Sequence, residues 1–368
     1  MAGSEQGAGD ALLGLLHEGV EGGVFPGAVA ALGTLTFGQV TRAEACAGLL
    51  EPGGSKVSFE TPYDLASLTK PVVAIAALRV SQSGSVDLHE PVRRWLPELE
   101  ATPAGEASLA QLLSHRAGLS PWGGLYRTIP GPFGSPATRA YMLREASSRP
   151  GPSPTPTGSV YSDLGYLVAG ETLARATRLP LEELVRREVT GPLGLERQLF
   201  YAAALDEDER ARLREHVAPT ERCDFRERLV RGEAHDENCA AFGGIAGHAG
   251  LFGTAHGVLT FGLALLSALE GRSGWMDQAL LRWALRPLPG GGHAVGWDTR
   301  SDQGSSAGSL FSVRSFGHLG FTGTSIWCDP VRNLCAVLLS NRVHPTRENI
   351  RIREFRPRFH DAIAELSL

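Results

Sequence analysis

Residues 63–80 read Tyr63-Asp64-Leu65-Ala66-Ser67-Leu68-Thr69-Lys70-Pro71-Val72-Val73-Ala74-Ile75-Ala76-Ala77-Leu78-Arg79-Val80, which predicts a serine and a lysine at the start of an apolar helix. Residues 71–80 have almost no polar face, which favours a central helix. Residues three apart at a helix start lie on one face, so the Ser67 hydroxyl and the Lys70 amine come within reach. The helix N-terminus adds free N–H groups and a partial positive charge. Burial favours the neutral amine, which is able to accept the serine proton.

Lysine is scarce in this chain, and this draws attention to Lys70. Of the 35 basic residues only Lys56 and Lys70 are lysines; the others are arginines. An amine is able to lose its proton, whereas a guanidinium stays protonated. Ser-x-x-Lys is a weak pattern by itself, but a lysine retained in such a composition strengthens its interpretation as a base.

A second candidate site is Tyr161-Ser162-Asp163, which precedes a predicted helix that begins at Leu164. A tyrosine at such a junction is able to hold its hydroxyl near a nucleophile as a base or proton relay. A second interpretation stays open, in which Asp163 caps the helix and Tyr161 only packs.

A third candidate is the stretch His318-Leu319-Gly320-Phe321-Thr322-Gly323-Thr324, which leads into a predicted strand. Glycines here allow a substrate to approach the strand backbone closely. A single histidine in a glycine-rich turn is more often structural, so this stretch alone does not identify a site.

The order of elements along the chain predicts an α+β fold. A helix over residues 10–22, with Asp10 as its N-cap, precedes two strands, and a long helical middle follows. Strands return near the C-terminal end, at Val295–Trp297, Phe311–Phe316, Ser325–Cys328 and Leu334–Ser340, before a closing helix within Ile350–Leu366. This order indicates an antiparallel β-sheet flanked by helices and built from both chain ends, with an inserted, mainly helical lobe. We expect one unit over residues 1–368, with an α/β lobe at about 10–80 plus 255–368 and a helical lobe at about 81–254.

Composition and charge exclude several classes of partner. The net charge of −5 argues against the basic surface of a nucleic-acid binder, and no apolar run approaches the length of a membrane span. The first basic residue other than histidine is Arg42, so the start of the chain lacks the positive charge of a secretory signal. We therefore expect a cytoplasmic location, or a periplasmic one if the N-terminus has been trimmed.

One further cluster offers possible metal ligands. His235-Asp236-Glu237-Asn238 and His248 carry imidazoles and carboxylates, but their spacing matches no established zinc pattern. The five cysteines form no Cys-x-x-Cys pair. We expect His235, Asp236 and His248 to be structural or to line a site, and we expect neither a metal nor another cofactor.

Together, the three candidates resemble the signature motifs of the serine β-lactamase and penicillin-binding-protein superfamily, which are Ser-x-x-Lys, Tyr-x-Asn and Lys-Thr-Gly. Other segments are similar to the class C branch: residues 112–119 to its LLTHTSGL segment, 191–195 to its PLGL segment and 249–255 to its AGGLxSTA loop. The resemblance runs from about residue 24 to the C-terminus and extends to family VIII esterases and D-Ala-D-Ala carboxypeptidase-like hydrolases. It implies the β-lactamase/transpeptidase-like fold.

The resemblance also implies a role for each matching residue. Ser67 would be the acylated nucleophile, Lys70 its activating group and Tyr161 the carrier of protons to the leaving group. The N–H groups of Ser67 and Phe321 would form the oxyanion hole. The substrate-binding positions would be Asp163, His318, Gly320 and Thr322.

Two positions depart from the family pattern. Asp163 stands where Asn is usual, and His318-Leu319 stands where Lys-Thr is usual. Leu319 has no hydroxyl and a histidine is mostly neutral at pH 7, so the usual hold on a substrate carboxylate is weakened. We therefore expect a serine hydrolase that forms an acyl-Ser67 intermediate with a small ester, amide or peptide-like substrate.

Alternatives to this function remain open at the level of sequence. Within enzymes they are a D-amino-acid-specific peptidase or carboxypeptidase, and a β-lactamase. From another class, a non-catalytic, penicillin-binding-like ligand sensor would use the same cleft. The intact Ser67, Lys70 and Tyr161 argue against a sensor, since a binding protein needs no activated serine. The oligomeric state does not follow from the sequence.

Overall fold

A computed structural model of the chain describes residues 2–36, 38–152, 158–287 and 293–366. Over these ranges the helices are α1 (Ala2–Glu21), α2 (Thr69–Gln82), α3 (Pro103–Glu106), α4 (Leu109–Leu113), α5 (Pro136–Ser148), α6 (Asp163–Thr177), α7 (Leu181–Val185), α8 (Glu207–His216), α9 (Glu237–Ala241), α10 (Ala255–Leu269), α11 (Gln278–Ala284) and α12 (Ile352–Glu365). The strands are β1 (Gly27–Thr36), β2 (Gln39–Gly48), β3 (Tyr63–Asp64), β4 (Leu199–Tyr201), β5 (Arg222–Cys223), β6 (Arg228–Leu229), β7 (Leu251–Gly253), β8 (Asp298–Thr299), β9 (Phe316–Leu319), β10 (Ser325–Asp329) and β11 (Leu334–Ser340).

The largest sheet joins the two ends of the chain. Its strand order is β2-β1-β11-β10-β9-β8, and every neighbouring pair runs antiparallel. β1 pairs with β11 from Ala28 opposite Ser340 to Thr34 opposite Leu334. The predicted α+β fold, with an antiparallel sheet built from both chain ends, is therefore confirmed.

Helices cover both faces of this sheet. Successive side chains of a strand point to opposite faces, and in β1 Val29 and Ala31 pack on the side of α10 while Ala28 and Ala30 pack on the side of α1 and α12. Because both faces are buried, β1 is a continuous apolar run. The alternation that would have revealed its register from the sequence is therefore missing.

α2 lies inside the molecule, as its apolar sequence predicts. Every residue from Thr69 to Val80 except Arg79 is buried. A short 3₁₀ turn, Ala66–Leu68, leads directly into this helix. The rigid core thus holds the start of α2, and with it Ser67 and Lys70, in a fixed place.

Some predicted element boundaries are wrong. α1 begins at Ala2, so Asp10 lies within the helix and is not its N-cap. Residues 295–297 and most of 311–316 are not strands; the strands in this region are β8 and β9. Val295, Trp297 and Phe311 are nevertheless buried, so their apolar pattern reflects loop side chains that pack into the core.

Between α2 and α10 most of the regular secondary structure is helical, and this part of the chain lies between the two parts that build the sheet. The division into lobes near residues 80 and 255 stays a prediction. Within the described ranges, no helix is both long enough and apolar enough to cross a lipid bilayer.

Candidate active site

Ser67 and Lys70 meet at the start of α2. The Lys70 Nζ donates a hydrogen bond to the Ser67 Oγ at 2.9 Å. The Lys70 side chain is fully buried, whereas Ser67 is half-buried and lines a cleft. The contact that the three-residue spacing predicts is therefore present, and it combines a reachable hydroxyl with a desolvated amine.

The backbone just before Ser67 is held in a strained conformation. Ala66 has a φ of 47°, in the left-handed region that alanine rarely occupies. Asp64 Oδ1 accepts a hydrogen bond from the Ala66 N–H at 2.8 Å, and Asp64 Oδ2 accepts one from the His235 N–H at 2.6 Å. Burial raises the pKa of Asp64 to about 6, although these two N–H groups oppose the rise. Asp64 therefore ties the nucleophile turn to a segment more than a hundred residues away in sequence.

The Lys70 amine has three hydrogen-bond acceptors. Besides Ser67 Oγ, it donates to Asp163 Oδ1 at 2.6 Å and to the main-chain carbonyl of His248 at 3.3 Å. Its nitrogen also lies 4.8 Å from the centre of the Tyr161 ring. These contacts fix the direction in which the amine faces the serine.

Asp163 is a partner of Lys70 and does not cap α6. The N-cap is Ser162, whose Oγ accepts from the Gly165 N–H at 3.0 Å and donates to the Ser120 carbonyl at 2.6 Å. The capping interpretation of Asp163 is therefore wrong. Serine and aspartate are both good N-caps and stand side by side here, so local sequence does not decide between them.

Tyr161 stands over the Lys70 amine among three histidine rings. The ring centres of His115, His293 and His318 lie 4.6, 5.9 and 6.0 Å from that of Tyr161. Burial and the negative charge of Asp163 raise the pKa of Tyr161 well above its usual value, and a hydrogen bond with Ser67 opposes the rise. Tyr161 therefore presents a neutral hydroxyl at pH 7, which suits a proton relay.

Two of these histidines hold the Tyr161 segment in place. His115 Nδ1 accepts a hydrogen bond from the Ser162 N–H at 3.0 Å. His293 Nδ1 lies 2.8 Å from Ser159 Oγ, and His293 Nε2 lies 3.2 Å from Asp298 Oδ1. The sequence analysis assigned no role to His115, His293 or Asp298, because their closeness to Tyr161 arises only from the fold.

His318 lies in β9 on the cleft wall and is buried. Its Nδ1 donates to the Leu319 carbonyl at 2.9 Å, while its Nε2 has no hydrogen-bond partner among the described residues. Burial lowers the pKa of His318 to about 4, so the ring is neutral at pH 7. It therefore offers the cleft a hydrogen-bond acceptor rather than a positive charge.

Gly320 and Thr322 differ in their access to the cleft. Gly320 lines it, and a Cβ at this position would lie 1.9 Å from Thr324 Oγ1 and 2.6 Å from the Leu65 carbonyl oxygen. Only glycine therefore allows β9 to approach the nucleophile turn so closely. Thr322 is buried, and its hydroxyl donates to the Asp64 carbonyl at 2.7 Å. Its predicted place among the substrate contacts is thus corrected to one beneath the nucleophile turn.

Phe321 has an exposed side chain at the cleft mouth. Its ring stacks on His235 with ring centres 5.6 Å apart, and the Arg342 guanidinium lies 4.5 Å from the ring centre on the cleft wall. Arg342 Nε donates to the Phe321 carbonyl at 2.8 Å. Phe321 and Ser67 both line the cleft. That their N–H groups form an oxyanion hole stays a prediction.

The cleft has a volume of about 540 Å³ and one cationic wall. Four arginines line this wall: Arg342, Arg347, Arg353 and Arg356. Arg347 is paired with the carboxylates of Glu221 and Glu237. No carboxylate within the described residues forms an ion pair with the other three. Arg342 and Arg356 instead donate to main-chain carbonyls, among them those of Phe321 and Gly320. The sequence analysis did not foresee this group of arginines at the cleft.

The cluster at 235–248 also lines the cleft. His235 and His248 are buried there, and Asp236 lies 2.9 Å from His248. In the part of the chain that the structure covers, no group of three or more His, Cys, Asp and Glu side chains is arranged to hold a metal ion. His235, Asp236 and His248 therefore line the same cleft as Ser67.

Comparisons with known proteins agree with this geometry. A protein of Salmonella agona that carries the name of a D-alanyl-D-alanine carboxypeptidase is 26% identical over 316 residues, which are 79% of this chain and 72% of that one. The structure of EstCE1, described as a hydrolase with promiscuous acyltransferase activity, superposes with a TM-score of 0.72 at 20% identity, covering 96% of this chain and 99% of that one.

A class C beta-lactamase from Rhodobacter sphaeroides shares the same fold. Its structure superposes with a TM-score of 0.67 at 19% identity, over 97% of this chain and 99% of that one. The family model described as Beta-lactamase matches residues 14–357, which is most of the chain. The chain therefore belongs to the beta-lactamase family of serine hydrolases.

Proposed function

We propose that this protein hydrolyses small ester, amide or peptide-like acyl compounds through a covalent acyl-Ser67 intermediate. The observation that carries the proposal is the buried Lys70 amine, 2.9 Å from the half-buried hydroxyl of Ser67 at the base of an open cleft. Removing an amine from water costs free energy, so the burial of Lys70 beside the serine favours a functional role for the pair.

Acylation uses Lys70 as the base. The neutral amine takes the proton of Ser67 as Oγ forms a bond to the substrate carbonyl carbon. The carbonyl oxygen becomes an oxyanion, which the N–H groups of Ser67 and Phe321 stabilise. The bond to the leaving group then breaks, and the Tyr161 hydroxyl passes a proton to the departing oxygen or nitrogen, replaced from the Lys70 ammonium.

Deacylation repeats these steps with water. A water molecule loses a proton to the neutral Lys70 amine, either directly or through the Tyr161 hydroxyl, which passes its own proton to Lys70 as it receives one from water. The water oxygen meanwhile bonds to the acyl carbon. The new oxyanion collapses, the bond to Ser67 Oγ breaks and the serine regains its proton. The product is a free carboxylic acid, and every residue returns to its starting protonation state.

The first prediction tests the nucleophile. We expect a fluorophosphonate probe to add one adduct to the protein, mapped by mass spectrometry to the peptide that contains Ser67. Ser67→Ala removes the adduct and the turnover of p-nitrophenyl acetate. Ser83→Ala, at the exposed far end of the same helix, is the matched control and keeps both. An adduct that persists in Ser67→Ala refutes the assignment.

A second candidate function is that of a carboxypeptidase, and the cationic wall favours it. Arg342 and Arg356 are buried at the cleft while Arg353 is exposed, and none of them has a carboxylate partner among the described residues. A guanidinium binds a carboxylate through two parallel hydrogen bonds. The wall therefore offers a place for the terminal carboxylate of a peptide, a hold that His318 and Leu319 do not provide.

The second prediction separates these functions by a substrate panel. If the protein is an esterase, short-chain p-nitrophenyl esters give a higher kcat/KM than nitrocefin near neutral pH, because the neutral His318 attracts a carboxylate poorly. If it is a carboxypeptidase, a D-Ala-D-Ala peptide with a free C-terminus is cleaved at least about tenfold faster than its C-terminal amide. Arg353→Gln then removes that difference. A preference for nitrocefin of about tenfold or more instead identifies a β-lactamase.

A further inference from the structure

His248 and Asp236 form a buried pair on the cleft wall, outside the catalytic steps described above. His248 Nε2 donates to Asp236 Oδ1 at 2.9 Å, and the His248 residue is only 2% exposed. Asp236 Oδ1 also accepts from the Cys239 N–H at 2.6 Å, at the start of α9. The imidazole is thus hydrogen-bonded to a carboxylate that is itself hydrogen-bonded to the first turn of α9.

His248 belongs to a glycine-rich loop. Residues 243–250 read Gly-Gly-Ile-Ala-Gly-His-Ala-Gly, and His248 supplies the single polar side chain among them. Gly247 packs so tightly on α6 that a Cβ there would lie 2.1 Å from the Tyr166 carbonyl oxygen. The loop backbone therefore lies close to the Lys70 environment. The Tyr201 hydroxyl donates to the Ala246 carbonyl at 3.1 Å and the Cys239 thiol to the Ala249 carbonyl at 3.2 Å, while the bond to Asp236 is the one that the side chain of His248 itself makes.

The backbone of His248 contacts the base. Its carbonyl oxygen accepts a hydrogen bond from Lys70 Nζ at 3.3 Å. A neutral amine has two N–H groups and one lone pair. The ammonium donates to all three of its acceptors, Ser67 Oγ included. When the neutral amine gives its two N–H groups to Asp163 and the His248 carbonyl, the lone pair takes the third position and faces the Ser67 hydroxyl. Without the carbonyl in place, the amine is free to rotate and its lone pair loses that direction.

The hydrogen bond between the two side chains persists across the neutral pH range. Burial would raise the pKa of Asp236, but the charge of His248 and the hydrogen bond from its ring, together with the Cys239 N–H, hold it well below the usual value. Asp236 therefore stays ionised and remains a strong acceptor for the imidazole.

We propose that His248 and Asp236 are positioning residues, which hold the His248 carbonyl against Lys70 so that the lone pair of the amine points at Ser67. This inference rests on the proposed role of Lys70 as the base. It assigns a purpose to the His-Asp-Glu-Asn segment and the glycine-rich loop, which the reaction scheme leaves unexplained.

The test compares His248→Leu with His248→Gln in the full chain. Leucine removes the bond to Asp236, whereas the amide of glutamine is able to donate from about the position of the imidazole Nε2. We expect His248→Leu to lower kcat for p-nitrophenyl acetate about 100-fold, the cost of a misplacement of about 1 Å, with KM within about threefold of the wild-type value. We expect His248→Gln to regain most of the lost kcat. His256→Leu, which breaks a similar bond from an imidazole to Glu44 far from the cleft, is the matched control and keeps full activity.

Circular dichroism melting shows that each variant is folded before kinetics are measured. A folded His248→Leu protein with kcat within threefold of wild type overturns the inference. Equal losses in His248→Leu and His248→Gln overturn it too, because the restored hydrogen bond then makes no difference. If the wild-type protein fails to form the Ser67 adduct, the proposed function fails and this inference fails with it. A normal wild-type adduct with an unaffected His248→Leu refutes only the inference.

Discussion

At the scale of single residues, Asp163 sets the charge balance around the base. Its carboxylate lies 2.6 Å from Lys70 Nζ, and an opposite charge at that distance favours the ammonium, which is unable to accept a proton. We predict that Asp163→Asn moves the rising limb of the kcat/KM profile toward lower pH by about one unit or more. The measurement is a pH series with a p-nitrophenyl ester.

A matched control for this substitution is Asp206→Asn. Asp206 caps α8 and its hydrogen bonds are exposed, so we expect the limb to stay in place. If Asp163→Asn changes thermal stability and leaves the limb where it was, the electrostatic account of this residue is wrong.

Single residues also show where sequence reasoning succeeded. Ser67 and Lys70 were placed together correctly because three residues of helix fix their separation. The partner of Lys70 at position 163 lies 93 residues further on, so no helix geometry brought it there. Its place among the substrate-binding positions was implied only by the family resemblance, while its contact with Lys70 had to come from the structure.

At the scale of elements, the N-terminus of α6 carries two side chains of the site. Ser162 caps this helix, with Tyr161 before it and Asp163 after it. We predict that Ser162→Ala lowers the free energy of unfolding by about 1 kcal/mol, the usual cost of a lost cap. Because the cap also fixes the helix start, kcat falls as well. Urea titration and steady-state kinetics measure the two effects.

Asp206→Ala provides the comparison for that prediction. It removes the cap of α8, a helix of charged residues outside the cleft, so a similar loss of stability is expected with kcat unchanged. An unaltered kcat in Ser162→Ala would mean that α6 holds Tyr161 and Asp163 in place without its cap.

Elements were predicted best where their pattern was strong and local. β11 was predicted with its observed bounds, and α2 to within two residues at each end. The prediction of a strand at 295–297 was wrong because Trp297 is buried between Phe261 and Phe316 in a segment that pairs with no neighbouring strand. An apolar run reports burial, and burial alone does not distinguish a strand from a packed loop.

At the scale of the whole molecule, buried neutral histidines make stability depend on pH. Burial lowers the pKa of five histidines, to about 3 for His235 and about 4 for His318 and His360; the others are His115 and His344. In the unfolded chain a histidine binds its proton near pH 6.5. The unfolded state therefore holds more protons between pH 6.5 and 4, so the free energy of unfolding falls as the pH drops through this window.

We predict a lower urea midpoint at pH 5 than at pH 7.5, with a loss on the order of 1–2 kcal/mol for each of His235, His318 and His360, whose pKa lies below pH 5. Asp64 acts in the opposite sense, since its raised pKa of about 6 stabilises the folded state as the pH falls, but it is one group against five. His360→Gln, deep in the core, reduces the difference between the two midpoints, and exposed His17→Gln does not. Equal midpoints in the wild-type protein would refute this account.

The cleft as a whole is the part that the sequence revealed least. Its four arginines come from residues 342–356 and two of its histidines are His235 and His248, whereas the nucleophile is Ser67. None of these arginines stands in a motif, and arginine is the ordinary cation of this chain. An arginine at the cleft is distinguished from one on the outer surface only by the way in which distant segments pack together.

The pairing of β1 with β11 has a consequence for how the protein is made. Ala28 lies opposite Ser340, so the ribosome must synthesise most of the chain before these strands are able to meet. Until then the apolar β1 has an unpaired edge, which is open to association with other nascent chains. Folding of the sheet must therefore await synthesis of residues 334–340, and assistance that shields the β1–β2 hairpin until then is expected to raise the yield of native protein.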